Sequence, residues 1–106
     1  MNEELFHSCK QKFRDPRISG VLFDAKSAGG GKQFSWDIAD DINRLRAYGE
    51  DKKMILAGGL NPDNVSFGIR QFHPDVVDVS SGVEGINGKK SKDKITQFVR
   101  KVRNHE

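Results

Sequence analysis

Three short apolar segments, Val21-Leu22-Phe23, Met54-Ile55-Leu56 and Val76-Val77, alternate along the chain with stretches of helical periodicity. No hairpin signal joins consecutive segments, and each connection is long enough to hold a helix. The order α-β-α-β-α-β-α therefore predicts parallel strands with right-handed crossovers in one α/β domain spanning residues 1–106.

The helical stretches carry their own start and stop signals. In residues 2–14, Leu5, Cys9 and Phe13 recur at i, i+4 and i+8, with Phe6 widening the stripe. Asp15-Pro16 ends that helix, because the residue before proline avoids the α region. Gly20–Ala25 reads as the first strand. Ser35 is placed to cap the second helix, whose face is Ile38, Ile42 and Leu45 and which stops near Gly49. Lys53–Ala57 is the second strand. Asn61 then stands as N-cap with Pro62 at the first helical position, ahead of a stripe of Val65, Ile69 and Phe72 that His73-Pro74 terminates. Val76–Val79 is the third strand. Ser91 caps a last helix with the stripe Ile95, Phe98, Val99 and Val102.

The chemistry gathers at the strand ends. Ala57-Gly58-Gly59-Leu60-Asn61-Pro62-Asp63-Asn64 follows the second strand, and Val77-Asp78-Val79-Ser80-Ser81-Gly82-Val83-Glu84 runs on from the third. Each turns through glycine and offers clustered backbone N–H groups, the second adding small hydroxyls. These are the groups that hold an anion such as phosphate. Gly58, Gly59, Ser80, Ser81 and Gly82 are the candidate phosphate ligands. Asp24 closes the first strand, where a carboxylate is costly without a task or a partner. Its alternatives are an acid–base role and a hydrogen bond to loop N–H groups. Asp78 shares a strand face with Ser80 and is either a substrate contact or half of an ion pair.

Those residues resemble phosphoribosylanthranilate isomerase, a (βα)8-barrel enzyme of tryptophan biosynthesis. The likeness rests on Asp24-Ala25-Lys26, Gly29-Gly30-Gly31 before Phe34-Ser35-Trp36, and the two glycine loops, in the same order and at similar spacing. It covers Leu22 to Val102 and matches the C-terminal half only, about strands six to eight. The resemblance implies that Asp24 is the general acid opening the ribose ring of N-(5-phosphoribosyl)anthranilate in an Amadori rearrangement. It makes Ser80, Ser81 and Gly82 the second phosphate-gripping loop, and Asp78 a substrate contact. No cofactor is implied, since the imine is itself the electron sink. Gly29–Gly31 with Lys32 matches the loop after the catalytic strand, read as a lid or a plain connector. The family's Phe-Asp-Trp is here Phe34-Ser35-Trp36, which removes an acid. The family's general base, a cysteine in a Lys-Ile-Cys-Gly motif, has no counterpart. Cys9 lies in Phe6-His7-Ser8-Cys9-Lys10, a helical context. The alternative is a non-catalytic phosphate-binding half-barrel fragment.

A complete barrel of this type needs ~250 residues, and this chain has 106. It is therefore expected to require an N-terminal half or self-association. Seven of the 18 Lys and Arg residues fall in 89–103, and few aromatics interleave with them, so a solvated helix face is expected rather than a nucleic-acid surface. One cysteine excludes an internal disulfide. His7, His73 and His105 stand in no metal-ligand spacing, so no metal is expected. No apolar run approaches the ~20 residues of a membrane span. The expectation is a cytoplasmic protein acting on a phosphorylated small molecule.

Overall fold

The computed structural model describes residues 2–24 and 38–104. Helix α1 spans Glu3–Arg14, strand β1 Gly20–Asp24, α2 Ala39–Arg46, β2 Lys53–Ala57, α3 Val65–Phe72, β3 Val76–Val77 and α4 Lys92–Arg103, with a 3-10 turn at Ser81–Val83. The strands form one parallel sheet in the order β1-β2-β3. Alternation of parallel strands and helices is thus as the sequence predicts. The Ser35 cap, Gly29–Gly31, Lys32, Phe34 and Trp36 lie outside the described residues.

Caps set the helix boundaries. The Asn2 side chain accepts from the Leu5 amide at 2.7 Å and starts α1; Ser91 Oγ accepts from the Lys94 amide at 3.3 Å and starts α4. Helix α3 begins at Val65, later than the Asn61-Pro62 signal suggests. Asn61 still caps, but what it caps is a preceding turn: its Oδ1 accepts from the amides of Asp63 and Asn64 at 2.8 and 3.0 Å. At the other end His73 takes a left-handed conformation (φ 48°) and stops the helix before Pro74. Strand β3 is shorter than Val76–Val79, although the Asp78 amide still donates to Leu56 O at 2.9 Å and carries the ladder one residue on.

Strand alternation divides the sheet into two faces. Val21, Phe23, Met54, Leu56 and Val77 face the helices and pack into a core with Phe13, Ile42, Leu45, Val65, Phe72 and Phe98. The Phe23 and Phe72 rings meet at 5.7 Å between centroids. The opposite face carries the cross-strand row Leu22, Ile55 and Val76, of which Leu22 is 54% and Val76 48% exposed. The helices are equally one-sided. On α4 only Phe98 is buried, while Ile95 and Val99 of the expected stripe are exposed; on α1 Phe13 is buried and Leu5 exposed.

Two close approaches hold the layers together. A Cβ at Gly49 would lie 2.2 Å from Phe13 O, so only glycine lets the turn after α2 pass the end of α1. Arg46 donates to the carbonyls of Phe72 (3.1 Å) and His73 at the C-terminal end of α3. It also pairs with Asp75 at 3.4 Å, whose other contact is the Met54 amide at 2.8 Å. One guanidinium therefore joins α2, α3 and β2.

Candidate functional site

The candidate residues converge at the C-terminal ends of the strands. Asp24 is the register partner of Ala57, and Asp78 follows β3 beside the same position. Alternation puts Asp24, Ala57 and Asp78 in one row on the open face, immediately above Leu22, Ile55 and Val76. Neighbouring strands lie ~4.8 Å apart, so the backbones of the two acids are separated by about 10 Å across the small Ala57 side chain. Asp24 is half-buried and Asp78 exposed.

The two glycine loops rise beside this row and touch. Gly58 and Gly59 both take positive φ, 87° and 74°, which side-chain-bearing residues rarely adopt. They reverse the chain above β2, and Leu60 drops back into the core at 2% exposure. In the second loop the 3-10 turn Ser81–Val83 likewise anchors on buried Val83. Gly82 presses against the first loop: a Cβ there would lie 1.7 Å from Leu60 O and 3.1 Å from Asn61 Cα. The glycine is what brings the loops into contact. Among the described residues, no loop hydrogen bond takes up the N–H groups of Gly59, Ser81 or Gly82. A cleft of about 290 Å³ opens alongside, lined by Asn61, Pro62, Asp63, Ser81, Gly82, Lys94 and Gln97.

Side chains absent from the sequence reading brace this arrangement. Lys90 Nζ donates to Ser80 O at 2.8 Å, to Ser80 Oγ at 3.3 Å and to Glu84 at 2.7 Å. Because the lysine donates to that oxygen, the Ser80 hydroxyl hydrogen points away from the lysine. Lys94 Nζ donates to Glu84 O at 2.7 Å. Two of the seven basic residues in 89–103 thus fix the second loop instead of only solvating a helix face. Their position at the end of the glycine loop and one turn into the helix was the available signal. Glu84 and Lys90 form an antiparallel bridge that closes the 85–89 turn. Asn64 braces the first loop from below: its Nδ2 donates to Gly59 O, and its Oδ1 accepts from the Asn61 amide, both at 2.9 Å.

Cys9 stands apart from this end of the sheet. It sits on α1, half-buried against the core. Among the described residues, no three His, Cys, Asp or Glu side chains come together as a metal site, and no helix is long and apolar enough to cross a membrane.

Comparison with known proteins gives one consistent result. The family model described as N-(5'-phosphoribosyl)anthranilate (PRA) isomerase matches residues 3–101. An N-(5'-phosphoribosyl)anthranilate isomerase of Trichlorobacter lovleyi is 44% identical over 100 residues, covering 91% of this chain and 46% of that protein. Among solved structures, monomers derived from the dimeric phosphoribosylanthranilate isomerase of Thermotoga maritima superpose with a TM-score of 0.72 at 32% identity, covering 97% of this chain and 45% of theirs. A phosphoribosylanthranilate isomerase in complex with reduced 1-(o-carboxyphenylamino)-1-deoxyribulose 5-phosphate superposes at 0.69, again at 32% identity, with 98% and 45% covered. The chain spans about half the length of the relatives it matches.

Proposed function

The chain belongs to the N-(5'-phosphoribosyl)anthranilate isomerase family, and from that premise we propose that it supplies the acid and the phosphate grip of that isomerisation. In this reading residues 1–106 are a partial (β/α)8 barrel, with β1, β2 and β3 as strands six, seven and eight. The observation that carries the proposal is spatial: Asp24 and Asp78 share one face and one sheet end with two clasped glycine loops.

Each group then has a task. The N–H groups of Gly58, Gly59, Ser81 and Gly82, with the Ser80 hydroxyl, hold the 5'-phosphate of N-(5'-phosphoribosyl)anthranilate. Asp24 donates a proton to the ribose ring oxygen as the C1–O bond opens, giving the Schiff base. A base on another segment removes the C2 proton; the enolamine that results ketonises to the 1-deoxyribulose 5-phosphate product. Asp78 contacts the substrate from the far side of Ala57. No cofactor is required, because the protonated imine accepts the electron pair.

The base comes from outside the 106 residues. They contain no Lys-Ile-Cys-Gly motif, and the lone thiol of Cys9 is half-buried on a helix. The row of exposed Leu22, half-buried Ile55 and exposed Val76 is the surface on which the complementary half of the barrel, or a second copy, would close. That same missing base favours a second reading, a phosphate-binding half-barrel without activity of its own. The two are separated by mixing this chain with an N-terminal half that carries the cysteine motif. The catalytic reading expects isomerase turnover on mixing and none from either part alone. It also expects Asp24→Asn in the mixture to lower kcat by ~10²–10⁴, as removal of a general acid does. Turnover unchanged by that substitution would remove Asp24 from the mechanism.

A further inference from the structure

We infer that Asn64 is the positioning residue of the phosphate grip: its side-chain amide sets the direction of two successive peptide groups in the Gly58–Asn61 loop. This rests on the phosphate reading given above and adds to it a residue outside the loop's own N–H groups.

The argument is geometric. Asn64 Nδ2 donates to Gly59 O at 2.9 Å. In a trans peptide the C=O and the following N–H point in opposite directions. Holding Gly59 O toward Asn64 therefore aims the Leu60 N–H away from it. The next peptide is held the other way round. Asn64 Oδ1 accepts from the Asn61 N–H at 2.9 Å, so Leu60 O points away, onto Gly82 of the second loop. One planar amide thus uses its donor and its acceptor on consecutive peptides. It holds the peptides that follow the positive-φ pair Gly58 and Gly59 (87° and 74°) and keeps Leu60 O seated against Gly82. Asn64 is itself fixed at the foot of α3, where its backbone N–H donates to Asn61 Oδ1 at 3.0 Å. A donor loop held in its binding geometry before the anion arrives loses less conformational freedom on binding.

The test uses the 106-residue chain, isotopically labelled on its amide nitrogens and titrated with inorganic phosphate, with the melting temperature measured in parallel. Asn64→Ala removes both contacts. Asn64→Asp keeps an acceptor for Asn61 and replaces the donor to Gly59 with a charged acceptor. Titrations at low and at ~0.5 M sodium chloride separate the carboxylate charge that Asn64→Asp introduces from the donor it removes, because salt screens the former. The expected result is a response at the Gly59, Leu60, Ser81 and Gly82 amides of the parent. Both variants should bind phosphate about tenfold more weakly, with the loss in Asn64→Asp persisting at high salt. A parent response with Asn64→Asp unchanged at high salt would overturn the role of Asn64 and leave the phosphate reading standing. Parent-like affinity in both variants with only the melting temperature lowered would also overturn it, as a purely structural role. No parent response at these amides would overturn the phosphate reading and this inference together.

Discussion

Gly82→Ala isolates the contact on which the site depends. Gly82 has no positive φ, so alanine meets no backbone penalty there. The obstacle is steric: the new Cβ would sit 1.7 Å from Leu60 O and 2.8 Å from Leu60 C. An ordinary carbon–oxygen contact begins near about 3.3 Å, so the loops must separate by about 1.6 Å. Both neighbours are backbone, which cannot swing aside as a side chain would. Overpacking of this kind costs about 1–3 kcal/mol. In a domain of this size that lowers the melting temperature by roughly 5–20 °C. The same displacement carries the Ser81 and Gly82 N–H groups beyond hydrogen-bonding reach of an anion held by the first loop, so phosphate affinity falls with stability. Gly85→Ala is the matched control, because its Cβ would meet Asn87 Oδ1 at 3.6 Å and Lys89 O at 3.8 Å, both ordinary contacts. Thermal unfolding followed by circular dichroism, with phosphate titration of each variant, gives both readouts. A Gly82→Ala chain that melts with Gly85→Ala and binds phosphate like the parent would refute the clasp.

Other substitutions probe the frame. Gly49→Ala drives a Cβ to 2.2 Å from Phe13 O and should cost about 1–3 kcal/mol in urea unfolding, with loss of the α1 helical signal first. Arg46→Ala leaves the Phe72 and His73 carbonyls and Asp75 without their shared donor; a loss of about 1–3 kcal/mol is expected in the same assay, and a change below about 0.5 kcal/mol would show that the cap contributes nothing. Leu22→Glu places a charge on the exposed row and should leave helix content and melting nearly unchanged. Sedimentation velocity should show it monomeric where the parent associates, and it should no longer be complemented by an N-terminal half.

Periodicity made the elements legible, and its failures are instructive. Strand β2 and the cap at Ser91 follow from local rules that tertiary structure did not override. From the sequence, the face that a closed barrel would bury reads as Val21, Phe23, Ile55 and Val77 or their neighbours, with alternation leaving the register open by one residue. The structure turns Val21, Phe23 and Val77 to the helices and places Ile55 with the neighbours Leu22 and Val76 on the open face. Alternation fixes that two faces exist, and only packing decides which is which. The stripe of α4 failed for a related reason. Ile95 and Val99 have helical spacing toward an apolar neighbour, and among the described residues that neighbour is absent. For Lys90 and Lys94 the sequence offers only their position beside the glycine loop, and for Asn64 only its place in the Ala57–Asn64 run; the backbone carbonyls they hold are set by the fold. The two glycine loops were legible because close backbone approach leaves glycine as almost the sole solution, and Gly82 against Leu60 O is such an approach.

Among the described residues, five of the eight exposed large apolar side chains share three surfaces, while Tyr48, Phe67 and Ile86 lie elsewhere. Leu5 lies on the first helix, Ile95 and Val99 on the last, and Leu22 and Val76 on the sheet's free face, each between 40% and 54% exposed. Strands β1 and β3 are the two edges of the sheet. These are the surfaces a parallel barrel would continue across: its interior, and the outer flanks of its terminal helices. Completing the burial of a half-exposed Leu, Ile or Val contributes about 1 kcal/mol, so these side chains together forgo about 5 kcal/mol. That equals the lower end of a small domain's whole stability. The cost does not fall on the strand ends, where Leu60, Val83 and Ala57 are all buried beneath the loops. The two glycine loops are therefore anchored by buried side chains of this chain, whereas the free face of the sheet is left uncovered. Under the proposed function, such a division predicts phosphate binding by this chain alone and turnover only once a second segment closes over the free face.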